Sequence, residues 1–235
     1  RDRTHAGLNH DKDIEIRWVA SEDIENDGAE DHLAGIVGIV VPGGFGYRGV
    51  EGMIDTVQYA REHRIPYLGL CLGMQVMVIE AARNLLGKGD ANSTEFDQNT
   101  SNPVIDLMPD QVGVTEKGGT MRLGVYPCEI RGDGVTSRAY GGNDNVVLER
   151  HRHRFEFNNS FRDQLASVGL VATGISPNGH LVEIVEFNDH PFMAGTQFHP
   201  EFLSRPSDPH PMFKEFVRAS CEVGAPSGSN GHAIG

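Results

Sequence analysis

The chain has 235 residues, 38% apolar and 23% charged, enough for one large α/β domain with its own core. Its formal net charge is −13, which argues against generic nucleic-acid binding, since that needs positive charge to displace counterions. No stretch approaches the roughly 20 apolar residues that span a bilayer. The first residues, Arg1-Asp2-Arg3-Thr4-His5, lack the apolar core of a signal peptide. Cys71, Cys128 and Cys221 are odd in number and far apart, which suits a reducing compartment better than a disulfide framework. A cytoplasmic protein with neither nucleic acid nor membrane as partner is expected.

In chain order, Ile14-Glu15-Ile16-Arg17-Trp18-Val19 alternates and predicts a half-buried strand. Residues 20–34 are acidic and helix-like. Gly35 to Val41 is nearly all apolar, as in a parallel strand covered on both faces. It ends at the turn Pro42-Gly43-Gly44-Phe45-Gly46. Met53, Ile54, Val57 and Ala60 share one face of a helix from about Val50 to His63. Pro66 to Leu70 is a second buried strand running straight into Cys71, and Leu72 to Leu86 reads as a helix stopped by Gly87.

Strand, turn, helix, strand, turn, helix is the order of a parallel α/β sheet. The second half predicts strands near 121–130, 146–157, 168–175, 181–188 and 192–198. Pro177-Asn178-Gly179 reads as a hairpin turn between two of them. Helices are expected over 160–166 and 209–221. The folded unit is expected to span 1–223, and the tail 224–235 to be disordered.

Gly69-Leu70-Cys71-Leu72-Gly73 has the form G-x-C-x-G between a strand and a helix, the thiol version of the nucleophile elbow. Such a turn demands small neighbours and lifts its side chain above the carboxyl end of the sheet, where open α/β folds bind ligands. The following helix points its N-terminus at the sulfur and favours thiolate. Lowering a thiol from about 8.5 by about two pH units takes roughly 2.7 kcal/mol of differential stabilisation, which a helix end and a nearby histidine can supply. Cys128 and Cys221 lack such a setting and are expected to pack.

A thiol nucleophile needs a proton acceptor. In Gln197-Phe198-His199-Pro200-Glu201, His199 and Glu201 are two apart, so in extended chain they project to one side. The carboxylate can fix the imidazole tautomer and leave the other nitrogen for the sulfur. An oxyanion formed at an amide carbon needs backbone donors. The Leu72 N–H is one, and the loop 42–46 is placed to give another. That loop lacks the Lys-Ser/Thr of a P-loop. Arg150-His151-Arg152-His153-Arg154 is no metal site by pattern, because three arginines repel a cation and no metal-ligand spacing appears. Its alternation aligns one set of side chains toward an anion or carboxylate.

Together, the P-G-G loop, G-x-C-x-G and H-P-E resemble class I glutamine amidotransferases. The match is finer with the glutaminase domain of the CTP synthase family. Pro42 to Gly52, Cys71 to Gln75, Ala91 to Phe96, Gly118 to Gly124 and Glu149 to Arg154 carry it, over about residues 14–219. The resemblance implies an open, mostly parallel, flavodoxin-like sheet flanked by helices, with an antiparallel extension in the second half. It implies Cys71, His199 and Glu201 as the catalytic triad. Glutamine would be held by Gly44, Leu72, Gly73, Met74, Gln75, Glu95 and Arg154. Gly44 and Leu72 would be the oxyanion donors, and Phe45 a contact for the effector GTP. A carboxylate for the ammonium of glutamine and a guanidinium for its carboxylate agree with Glu95 and Arg154.

The implied reaction forms a glutamyl thioester on Cys71, releases ammonia and frees glutamate. In the family the ammonia reaches a synthase domain that binds ATP, magnesium and UTP and makes CTP, in a homo-oligomer. None of the 235 residues resembles that domain, so slow glutamine hydrolysis is expected of this chain by itself. The family's domain also starts one strand earlier, with Arg1 to His10 resembling the end of the following helix. One strand fewer and lower stability are expected. The alternatives are the glutaminase of another class I amidotransferase, a cysteine peptidase or γ-glutamyl hydrolase, and a non-catalytic partner-binding module.

Overall fold

The computed structural model describes residues 13–107, 121–143 and 145–224. The expected helix end at Arg1 to His10, the tail from 225 and Gly118 to Thr120 lie outside them. Two short helices, α1 (Ser21–Asp27) and α2 (Ala29–Leu33), precede β1 (Ile39–Val41) and α3 (Val50–Glu62). Then come β2 (Tyr67–Leu70), α4 (Leu72–Glu80) and a π-turn (Ala81–Leu85). The second half holds β3 (Asn92–Ser93), β4 (Pro103–Leu107), β5 (Arg122–Ile130), α5 (Val135–Tyr140), β6 (Val146–His153) and β7 (Phe155–Phe157). It closes with α6 (Arg162–Ser167), β8 (Leu170–Ile175), β9 (Val182–Phe187), β10 (Met193–Thr196) and α7 (Pro211–Val223).

Seven strands form an open sheet in the order β1-β2-β10-β9-β8-β5-β6. β1, β2 and β10 run parallel, and from β10 onward each pairing is antiparallel, which is the expected extension. A second sheet, β3-β4-β7, lies apart. The hairpin turn forms where expected, with Gly179 at φ 78 donating to the Ser176 carbonyl.

Ile14 to Val19 is not a strand. Its alternation reports packing, because Ile14 and Val19 rest on the two main apolar clusters. Arg17 ties the segment to the carbonyls of His32 and Ala34, and Trp18 is 82% exposed. Among the described residues β1 is an edge strand with β2 as its one neighbour. Helices cover both faces of the sheet. Tyr67 of β2 joins the cluster with α3 and α4, while Leu68 and Leu70 join the one with α5 and α7. Each buried side chain of that size contributes roughly 1.5–3 kcal/mol. Every residue of α4 is buried, so this helix and the cysteine before it are fixed by packing on all sides.

The alternation of β6 sorts its charges. Glu149, His151 and His153 point inward, and Arg150 and Arg152 outward. The His153 Nδ1 lies 3.2 Å from the Phe155 carbonyl, which can only accept, so this nitrogen carries the proton. His153 Nε2 then accepts from His151 Nδ1 at 2.9 Å, so the His153 ring is neutral. Burial first, then the Arg122 charge, pushes His151 down to about 2 and His153 to about 3. Unfolded, both rings take protons below about 6.5. Their contribution to stability is therefore complete above that pH and is lost as pH falls from about 6.5 toward 3. Urea midpoints should drop between pH 7 and pH 5, before carboxylates titrate, and a flat profile would contradict two buried neutral rings.

Candidate active site

Cys71 sits at the sharp junction of β2 and α4 with φ 53 and ψ −98, a left-handed backbone rare for a residue with a side chain. Strain of this kind costs about 1–3 kcal/mol and persists where surroundings over-determine it. Here the Cys71 N–H is clamped by the Thr196 carbonyl of β10 at 2.7 Å. The flanking glycines are obligatory. A Cβ at Gly69 would stand 2.5 Å from the Gly73 backbone, and one at Gly73 would stand 2.2 Å from the Val41 carbonyl oxygen.

His199 and Glu201 come together as expected, by a different local route. The chain after β10 is not extended through them, since Pro200–Phe202 forms a single 3-10 turn that folds Glu201 back. His199 Nδ1–H donates to Glu201 Oε1 at 2.7 Å, which leaves Nε2 as the free edge of the ring. Among the described residues that Nε2 is buried without a hydrogen-bond partner. The ring stacks on Phe202 with centroids 4.9 Å apart, and the His199 N–H is anchored to the Arg150 carbonyl of β6 at 2.8 Å.

Gly43 brings ring and thiol together. A Cβ placed there would lie 2.8 Å from His199 Cε1 and 3.5 Å from Cys71 Cβ. Gly43→Ala should therefore displace the imidazole and slow turnover at Cys71 about a hundredfold, in line with misplacement of a base. The fold should survive, because the contacted atom belongs to a side chain. Wild-type turnover in Gly43→Ala would show that the ring does not need its present position.

Burial works against a preformed thiolate at the sulfur. Burial pushes the Cys71 thiol up to about 12, the Leu72 N–H bonded to it pulls the other way, and Glu201, Glu156 and Glu95 raise it further. The helix end argued for the opposite direction, but it supplies at most about 2 kcal/mol, and desolvation by packing on all sides outweighs it. Cys128 is buried with its thiol likewise pushed up by burial, and Cys221 is half-buried against the α5–α7 cluster.

A cavity of about 260 Å³ opens beside Cys71, with Gly44, Phe45, Gln75, Glu95 and Arg154 among its walls. Glu95 takes the Gly46 N–H at 3.3 Å, and burial raises its carboxyl above the usual range against the pull of Gly46 and Arg154. Leu72, Gly73 and Met74 are buried behind the cysteine, so of these only backbone can face a ligand. Of the Arg-His run, Arg152, His153 and Arg154 reach the cavity, while His151 is absorbed into the interior. Met121 and Phe155 also line it and were given no role from sequence. They arrive from the residue before β5 and from the start of β7, strands whose placement no local pattern reveals.

A strained cysteine at a strand-helix elbow, with a carboxylate-held histidine near it, is the equipment of a thiol-nucleophile enzyme, and the comparisons name the family. The model of the class I glutamine amidotransferase family matches residues 4–219. The chain belongs to that family.

Within it, the likeness is to CTP synthases. A CTP synthase of Dehalococcoides mccartyi is 59% identical over 219 residues, which are 93% of this chain and 40% of that protein. One of Roseiflexus castenholzii is 58% identical over 220 residues, 93% of this chain and 39% of the relative. The chain thus spans about 40% of the length of these curated relatives. The glutaminase domain of Trypanosoma brucei CTPS, solved with bound acivicin, superposes with a TM-score of 0.88 at 37% identity over 94% of this chain and 86% of that one. A GMP synthase subunit from Thermoplasma acidophilum shares the fold, with a TM-score of 0.53 at 15% identity.

Proposed function

We propose that this chain hydrolyses L-glutamine to glutamate and ammonia through a thioester on Cys71. The observation that carries the reading is His199 Nε2, buried without a hydrogen-bond partner among the described residues, on a ring that Glu201 holds at Nδ1 and that lies, with the Cys71 side chain, against Gly43. As Sγ bonds to the amide carbon of glutamine, its proton passes to Nε2. With the thiol held near 12, this transfer accompanies attack and does not precede it. The carbonyl electrons move onto oxygen, where Leu72 N–H and the Gly44 backbone receive them. The imidazolium then protonates the leaving nitrogen, the C–N bond breaks and ammonia departs. Water, deprotonated by His199, attacks the thioester, the C–S bond breaks and glutamate leaves.

Glu95 and Arg154, on the cavity wall, supply opposite charges for the two ends of the amino acid. The Gln75 side chain lines the cavity, and Leu72, Gly73 and Met74 contribute backbone alone. In this reading the ammonia serves an ATP-dependent amination of UTP to CTP, with magnesium, in a synthase domain of a homo-oligomer. GTP as effector is favoured by the Phe45 ring, 64% exposed with the Arg152 guanidinium 5.7 Å from its centroid, a stack that a purine can join. The setting is the cytoplasm. No helix among the described residues is long and apolar enough to cross a membrane. Ammonia assayed with glutamine, asparagine and a peptide panel tests the reading. Release from free glutamine alone is expected, and peptide cleavage without it would overturn the proposal.

A further inference from the structure

We propose that Gln197 is a catalytic residue of this site, whose side-chain amide donates to the Cys71 sulfur and holds the thiolate that forms as His199 takes the proton. The proposal rests on the glutaminase reading above and adds a member to its machinery.

Gln197 follows β10 directly, two residues before His199, and its N–H is held by the Glu183 carbonyl of β9 at 2.8 Å. Its side chain is fully buried, so its polar atoms must find partners inside the protein. Nε2 lies 3.7 Å from Cys71 Sγ, and Oε1 lies 3.4 Å from Gln75 Nε2. Gln75 Nε2 also donates to the Phe155 carbonyl at 3.2 Å. A backbone carbonyl has no proton to give, so Phe155 decides which way the Gln75 amide is turned. The Gln75 nitrogen then faces Gln197 Oε1, and Gln197 Nε2 is left for the sulfur. One carbonyl at the start of β7 thus ensures, through two amides, that Sγ meets a donor.

The sulfur needs that donor. Burial and three carboxylates oppose negative charge on it, and the Leu72 N–H is the other group that favours it. When the carbonyl oxygen of the substrate becomes an oxyanion, Leu72 is drawn toward that oxygen. Gln197 is tied by Gln75 and stays with the sulfur. The same amide receives the thiolate when water cleaves the thioester. A buried amide pair with only a packing role would satisfy itself without reaching the nucleophile.

The test is Gln197→Met, which keeps length and apolar packing and removes the donor. Alkylation of Cys71 by iodoacetamide is followed against pH, with peptide mapping to separate it from Cys128 and Cys221. Hydrogen bonds to charged groups are worth enough to predict alkylation about tenfold slower, with the pH profile moved to higher pH. Ammonia release from glutamine should fall about tenfold in kcat with little change in KM. Gln197→Glu, which adds a fourth carboxylate, should move the profile further the same way. Should Gln197→Met not fold, Gln75→Met, which frees the Gln197 amide to turn, must move the profile in the same direction. A folded variant with the wild-type pH profile, while wild-type protein hydrolyses glutamine, overturns the Gln197 proposal alone. Failure of the underlying reading looks different: no ammonia from glutamine, and a wild-type Cys71 no more reactive than Cys128.

Discussion

Cys71→Ala is expected to lower glutamine hydrolysis by about 10⁴-fold or more, the scale seen when a covalent nucleophile is removed. The loss should be in kcat, with glutamine still binding, because the grip proposed for Glu95 and Arg154 on the cavity wall does not depend on the sulfur. His199→Ala should cost less, about 10²–10⁴-fold, as for a general base. The fold should tolerate Cys71→Ala. The elbow is held by the Thr196 carbonyl on the Cys71 N–H and by the packing of Gly69 and Gly73 against backbone. Hydrolysis is the readout, with thermal unfolding as the control. Substantial ammonia release by folded Cys71→Ala would remove the thioester from the account.

Arg122→Ala is expected to cost about 3–5 kcal/mol of stability, as when one member of a buried ion pair is removed. Arg122 enters at the start of β5 and forks onto Glu183, with contacts at 2.7 and 3.0 Å, and reaches Glu156 at 3.5 Å. Its guanidinium lies 4.4 Å from the Tyr126 ring centroid. Glu183 is wholly buried, and burial already raises its carboxyl against the pull of Arg122. Without the arginine the carboxylate is stranded. The melting temperature should fall by roughly 10 °C. Replacing both partners, Arg122→Met with Glu183→Leu, should recover most of that loss, since the buried charges leave together. A single variant that melts with wild type would show that the pair does not hold β5 to β9.

The elbow was legible in sequence because its constraint is local. A cysteine at φ 53 beside backbone that would touch any added Cβ leaves Gly69 and Gly73 as its trace. His199 and Glu201 were legible as a pair because they are two positions apart, even though the turn between them is 3-10 and not extended. Strands β5, β6, β8, β9 and β10 were marked by composition and turn residues. β3 and β4 were not, being two and five residues long and paired across a register shift. α5 was missed for another reason: its N-terminus is held by Glu186, which donates nothing to local pattern because it lies on β9 and bonds the Val135 and Thr136 N–H groups.

The thiol was misjudged because the helix end is a local feature and desolvation is not. Leu72 to Glu80 reads the same whether its surroundings are water or packed strands, and here they are packed. Gln197 shows the same limit from the other side. Its partners, Gln75 and Cys71, lie 122 and 126 positions away, so only the assembled sheet gives the amide its role.

The most direct measurement is covalent labelling with acivicin, a chlorodihydroisoxazole amino acid, followed by peptide mapping. The account predicts a single adduct at Cys71, formed more slowly in His199→Ala and suppressed by excess glutamine. Equal labelling of Cys128 or Cys221, or labelling of Cys71 that glutamine does not compete with, would contradict it.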